Sequence, residues 1–205
     1  MRNNLNLKII LLVSIIISLF HAQACPTLCK CDKPRTVSCR NRGLQHFPSG
    51  VPNDTEDLVL ARNPIGHLNQ THLSWLTSLK RLDISACSIR YLAPNAFSSL
   101  VNLEILQMQL NLLPIIPTSL FRYLYKLEIL HLHQNRLTAI QTQAFDALVN
   151  LETMTLDDNL LSNLNSGLFQ KLVTLKQLSI SKNKLTKIHS QNFKGLGSLR
   201  GIRFE

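Results

Sequence analysis

The chain has 205 residues, with 22 Lys and Arg against 12 Asp and Glu and a formal charge of +10. That length allows one domain with a real core. No G-x-S-x-G, P-loop, H-E-x-x-H or dinucleotide fingerprint is present, and none of the 7 glycines forms a phosphate-cradling loop, which excludes the commonest catalytic and nucleotide-binding classes.

The first segment reads as an export signal. Arg2 and Lys8 make a basic start, Ile9 to Phe20 is apolar apart from Ser14 and Ser18, and Ala22-Gln23-Ala24 offers small residues to a signal peptidase. This predicts a signal peptide over 1–24, cleaved before Cys25. The alternative is an uncleaved membrane anchor, but the apolar run is about a dozen residues against the ~20 a spanning helix needs. No later run is long enough, so no membrane span is expected in this chain.

Next come Cys25, Cys29, Cys31 and Cys39, spaced C-x3-C-x-C-x7-C. A dense, even set behind a secretory signal predicts disulfides. Zinc is the alternative, but paired C-x2-C knuckles are missing and the compartment is oxidising. Three pairings are possible on sequence alone. Basic residues crowd this segment: Lys30, Lys33, Arg35, Arg40 and Arg42.

From Thr55 onward the chain repeats every 24 residues. Units begin at Thr55, Leu79, Leu103, Leu127, Leu151, Leu175 and Leu199: six full units and a seventh cut off at Glu205. In the third unit Leu103, Leu106, Met108, Asn111 and Leu113 hold positions 1, 4, 6, 9 and 11. Position 14 is always Leu or Ile, position 22 always Leu, and position 19 is Leu73 followed by Phe97, Phe121, Phe145, Phe169 and Phe193. A fixed long period without slips is the mark of a solenoid. One unit has no core; its apolar residues are buried only by stacking. Positions 4 and 6 point inward from a short strand, and positions 3, 5, 7 and 8 point outward. Stacked strands make a parallel sheet on the concave side, while the Phe column fills the wider convex side. Asn63, Asn111, Asn135, Asn159 and Asn183 stand where the strand turns inward, and their amides can satisfy backbone groups of adjacent coils. Cys87 replaces Asn in the second unit and is expected to be a buried free thiol.

From Cys25 to Glu205 the chain resembles extracellular leucine-rich-repeat ectodomains with a cysteine-rich N-terminal cap, as in Slit, Toll-like receptors and variable lymphocyte receptors. The resemblance rests on the repeat and on Cys25-Pro26 through Cys39, continued by Gly43-Leu44, Pro48, Val51-Pro52 and Thr55. It implies an α/β fold: a right-handed solenoid, or horseshoe, with a concave parallel sheet and convex turns or short helices. It implies a cap over 25–54, repeats over 55–205, and pairing of Cys25 with Cys31 and Cys29 with Cys39. Related ectodomains close with a second cap, so the sequence reads as truncated.

The expected binding surface is concave: Ile105, Gln107, Gln109, Ile129, His131, His133, Thr155, Asp157 and Asp158. His131, His133 and Asp157 form a trio that could hold a metal or simply contact a partner, and no metal or other cofactor is expected. Lys176, Lys182, Lys184 and Lys187 form a basic set; from Asn159 to Phe204 there are bases and no acid. Outside cells the matching polyanion is a heparan-type glycan rather than nucleic acid. Asn53 and Asn69 begin glycosylation sequons off the concave face. The expected function is a secreted or receptor-borne module for an extracellular protein ligand, without catalysis. The alternatives are a glycosaminoglycan-bound matrix component and the targeting segment of a larger enzyme.

Overall fold

The computed structural model describes residues 25–204. The expected signal peptide and Glu205 lie outside the described residues. In chain order the strands are β1 (Thr36–Ser38), β2 (Asp57–Val59), β3 (His67–Leu68), β4 (Arg81–Asp83), β5 (Tyr91–Leu92), β6 (Ile105–Gln107), β7 (Ile129–His131), β8 (Thr153–Thr155), β9 (Gln177–Ser179) and β10 (Gly201–Arg203). Eight form one parallel sheet in the order β1-β2-β4-β6-β7-β8-β9-β10. β3 and β5 make a separate parallel pair. Among the described residues helical structure is sparse: one turn, α1, at Gln70–Leu73 and a 3-10 turn at Ser190–Phe193.

The register puts identical repeat positions side by side. Leu106 faces Leu130 and Leu130 faces Met154, all inward and fully buried. Hydrogen bonds run past the three-residue strands. Met108 N–H donates to His131 O and Leu110 N–H to His133 O, and each has its counterpart in neighbouring coils. On the return side the chain closes through successive i→i+3 turns, such as Leu124 N–H to Phe121 O and Leu127 N–H to Leu124 O. The Phe rings there stack from coil to coil, with centroids 6.0 Å apart for Phe121 and Phe145 and 6.3 Å for Phe145 and Phe169.

The cap does more than cover the end. Its strand β1 extends the concave sheet by pairing with β2, and Val37 follows the inward alternation onto Leu58. The disulfides are Cys25–Cys31 and Cys29–Cys39.

The Asn column works as a peg between coils. Asn135 Nδ2 donates to Leu132 O and to Met108 O of the preceding coil, while its Oδ1 accepts from Leu113 N–H. Asn111, Asn159 and Asn183 repeat this arrangement. The residue before each peg has a left-handed backbone: Arg62, Leu110, Gln134, Asp158 and Lys182 have φ between 51° and 60°. Side chains with a Cβ rarely take that conformation. Here the ladder bonds on one side and the Asn amide on the other hold it.

Cys87 takes only half of the role. It is buried and free, and its Sγ donates to Leu60 O at 3.2 Å, the contact an Asn amide would make. Burial pushes the thiol pKa up to about 11, so it stays protonated. A thiol is a poor acceptor. In the preceding coil Ile65 N–H instead turns back to Asn63 O, and in the coil of Cys87 itself Ser88 joins Ala86 in the left-handed region.

Candidate binding face

The concave sheet carries the side chains that have no core duty. Ile105 and Ile129 are direct neighbours across β6 and β7, both half-buried. Beside them runs a polar row: Gln107 faces His131, and His131 faces Thr155. Gln109, His133 and Asp157 continue each strand toward one rim, and Asp158 follows on its left-handed backbone.

Thr155 joins the two histidines. Its hydroxyl lies 3.1 Å from His131 Nδ1 and 2.9 Å from His133 Nδ1, and the rings meet edge to face. A hydroxyl has one proton to give. Bonding both rings therefore requires Thr155 to donate to one Nδ1 and accept from an N–H on the other. Burial, and then the neighbouring His133 ring, lower the pKa of His131. Burial also lowers that of His133, with Asp157 and Asp158 pulling the other way.

Asp157 does not complete a trio with the histidines. Its Oδ1 accepts from Ser179 Oγ and Ser181 N–H on the next coil. Among the described residues no group of three or more His, Cys, Asp or Glu is arranged to hold a metal.

A groove of about 930 Å³ runs from His133 over Thr155, Asp157 and Ser181 to Lys182, Arg200 and Arg203. Arg200 and Arg203 were not among the residues expected here. The four expected lysines have different surroundings. Lys176 is tied to Glu152, Lys182 lines the groove, and Lys184 and Lys187 lie further round the coil at positions 10 and 13, exposed.

A row at position 2 also escaped the sequence reading: Glu56, Lys80, Glu104, Glu128, Glu152, Lys176 and Arg200. The signal was available, since the position is charged in every unit. At the cap end this row is internally paired. Glu56 meets both Arg35 and Lys80, whose hydrogen bonds hold its carboxyl below the usual carboxylate range.

Both sequons lie off this face. Asn69 caps α1 on the return side, where its Oδ1 accepts from His72 N–H and Thr71 Oγ. Asn53 is exposed in the turn before β2.

A capped stack of coils with an open concave sheet defines a repeat-type scaffold. Residues 90–205 match the model of the BspA type leucine rich repeat region, residues 55–113 a leucine rich repeat model, and residues 24–52 the leucine rich repeat N-terminal domain. The chain belongs to the leucine-rich repeat family. It is 38% identical over 85 residues to reticulon-4 receptor-like 1 of Rattus norvegicus, covering 41% of this chain and 19% of that protein. It is 43% identical over 63 residues to leucine-rich repeat and immunoglobulin-like domain-containing nogo receptor-interacting protein 3 of Mus musculus, covering 30% and 11%. Against leucine-rich repeat-containing G-protein coupled receptor 5 of Homo sapiens it is 31% identical over 99 residues, covering 46% and 11%. The matched stretches thus span a fifth or less of these relatives.

Proposed function

We propose that this chain is an extracellular recognition module that binds a protein ligand on its concave face, through Ile105, Gln107, Gln109, Ile129, His131, His133, Thr155, Asp157 and Asp158. One observation carries the reading. Inward columns keep their chemistry from coil to coil, whereas neighbouring outward positions change from Ile to Thr or from Gln to His. A surface so varied on so regular a frame is suited to recognition rather than stability. The receptor names of the relatives and the disulfide-bonded cap agree with an extracellular setting. A secretory signal over 1–24 and glycans on Asn53 and Asn69 complete this reading; glycans there leave the sheet open.

The test begins with a screen of the secreted chain against an array of cell-surface and secreted ectodomains. His133→Ala and Asp157→Ala are then expected to weaken the captured protein, with normal secretion and melting. Lys171→Ala, on the return side, should leave binding unchanged. Binding that responds only to the return-side change sinks the concave-face reading.

A second reading has its own observation. Lys182, Arg200 and Arg203 converge on one groove, a composition suited to a heparan-type glycan. Because the matched stretches are short parts of the relatives, this module can also serve within a larger receptor or enzyme.

A further inference from the structure

The concave sheet is divided by charge along its length. At positions 2 to 8 the third to fifth coils carry Glu104, Glu128, Glu152, Asp157 and Asp158 and no Lys or Arg. In a chain of formal charge +10 that is a local reversal. These acids differ from those nearer the cap. Glu56 is paired with Arg35 and Lys80, Asp57 with Arg81, and Asp83 with Arg40. Among the described residues Glu104, Glu128, Asp157 and Asp158 make no salt bridge, and Glu152 is the one central acid neutralised, by Lys176. Glu104 and Glu128 stand at one rim of the sheet and Asp157 and Asp158 at the other. Ile105 and Ile129 lie between them.

The sixth and seventh coils have the opposite sign. Lys182, Arg200 and Arg203 line one side of the groove, with Asp157 and Asp158 of the fifth coil on the other, and among the described residues these three bases make no salt bridge. Ser181, 5% exposed, lines the same groove, and its buried Oγ has no hydrogen-bond partner there. A buried hydroxyl left open calls for a partner group.

Resting on the concave-face reading above, we propose that the sheet takes a protein surface of matching polarity: a basic segment with apolar side chains over coils three to five, and an acidic segment over coils six and seven. The apolar side chains cover Ile105 and Ile129. The basic groups sit between the two acidic rims. The acidic segment meets Lys182, Arg200 and Arg203, with Ser181 Oγ as a hydrogen-bond donor. Opposed charge zones fix the direction of docking and reject partners of a single sign, because one end of the sheet then repels them.

Short fluorescent peptides with the same apolar residues test this on the full secreted chain. One is basic in one half and acidic in the other, one is wholly basic, one wholly acidic and one uncharged. Anisotropy titrations should show the two-sign peptide bound about tenfold tighter than any other, since several modest charge pairs add. Raising the salt should erase that advantage. Glu104→Lys with Glu128→Lys should abolish the gain from the basic half. Lys182→Glu with Arg203→Glu should abolish the gain from the acidic half. Equal binding of all four peptides, or no binding by any, overturns the proposal and leaves the concave-face reading standing. The wholly acidic peptide binding tightest, with heparin competing and the coil-three and coil-four changes silent, also overturns it and favours the glycan. Binding lost on Lys171→Glu but indifferent to every sheet change overturns both readings.

Discussion

The first and last described coils use the same repeat and reach different states. At the cap end Val37 and Cys39 are 2% and 0% exposed and seal the coil that holds Leu58 and Leu60. At the other end Ile188 and Phe204 are 46% and 42% exposed, and Phe193, Leu196, Leu199 and Ile202 are only partly buried. Ile188 occupies the column of Ile116 and Ile140, which are buried. A repeat position therefore does not define burial by itself. Burial of one coil comes from the coil or cap stacked on it, the nearest-neighbour behaviour of solenoids.

Removing the same ring from different coils should show this most strongly. Phe145→Ala is expected to cost about 3–5 kcal/mol, because the ring is fully buried between Phe121 and Phe169. Phe193→Ala, facing only one buried ring, should cost about 1–2 kcal/mol. Urea unfolding of both variants gives the comparison. Equal costs would mean that the end coil is as well packed as the middle, against the observed exposures.

The pegs offer a second contrast. Asn135→Ala should cost about 3 kcal/mol, since Met108 O, Leu132 O and Leu113 N–H lose a buried partner together. Cys87→Ala should cost about 1 kcal/mol, because a thiol donates weakly and its coil has already rearranged. If the two variants melt alike, the amide pegs contribute no more than the thiol does. Between these lies the cap: Cys29→Ala with Cys39→Ala should cost about 2–3 kcal/mol, as expected for so short a loop. The loss should appear at the β1–β2 end in hydrogen exchange and leave β8 protected; uniform loss would show that cap and repeats unfold as one unit.

The legibility of these features follows their physics. The columns of Leu, Phe and Asn can be read off the sequence because each occupies an inward or hydrogen-bonded slot that few residue types fit. Left-handed backbone ahead of the pegs cannot be read so. Arg62, Leu110, Gln134, Asp158 and Lys182 share no turn-forming chemistry, and the conformation is imposed by bonds from adjacent coils. The candidate face is intermediate. Ile105 beside Ile129 follows from the register alone. Thr155 shared by His131 and His133, Asp157 turned to Ser179 and Ser181, and Lys176 spent on Glu152 depend on rotamers and neighbours. Arg200 and Arg203 were hidden because the groove is defined by four coils at once.

The smallest expected effect concerns pH and again separates the middle from the ends. Burial holds His131 and His133 below the ordinary imidazole value, so both are neutral near pH 7. As pH falls through about 6.5, the unfolded chain takes up these protons first. The stability the pair contributes is therefore present above that value, is lost as pH drops toward the folded values, and stays level below them. Urea midpoints of the parent should fall between about pH 7 and pH 5 more steeply than those of His131→Gln with His133→Gln. His72, near the cap, is lowered in the same direction by burial and by His67 and His46, so some slope should remain in that variant. Asp158 gives the sharper control. It raises the His133 value against burial, so Asp158→Asn should lower that value further and steepen the acid loss. Parallel curves for parent and double variant would show that protonating the central rings costs nothing, and that Thr155 bonds them as well charged as neutral.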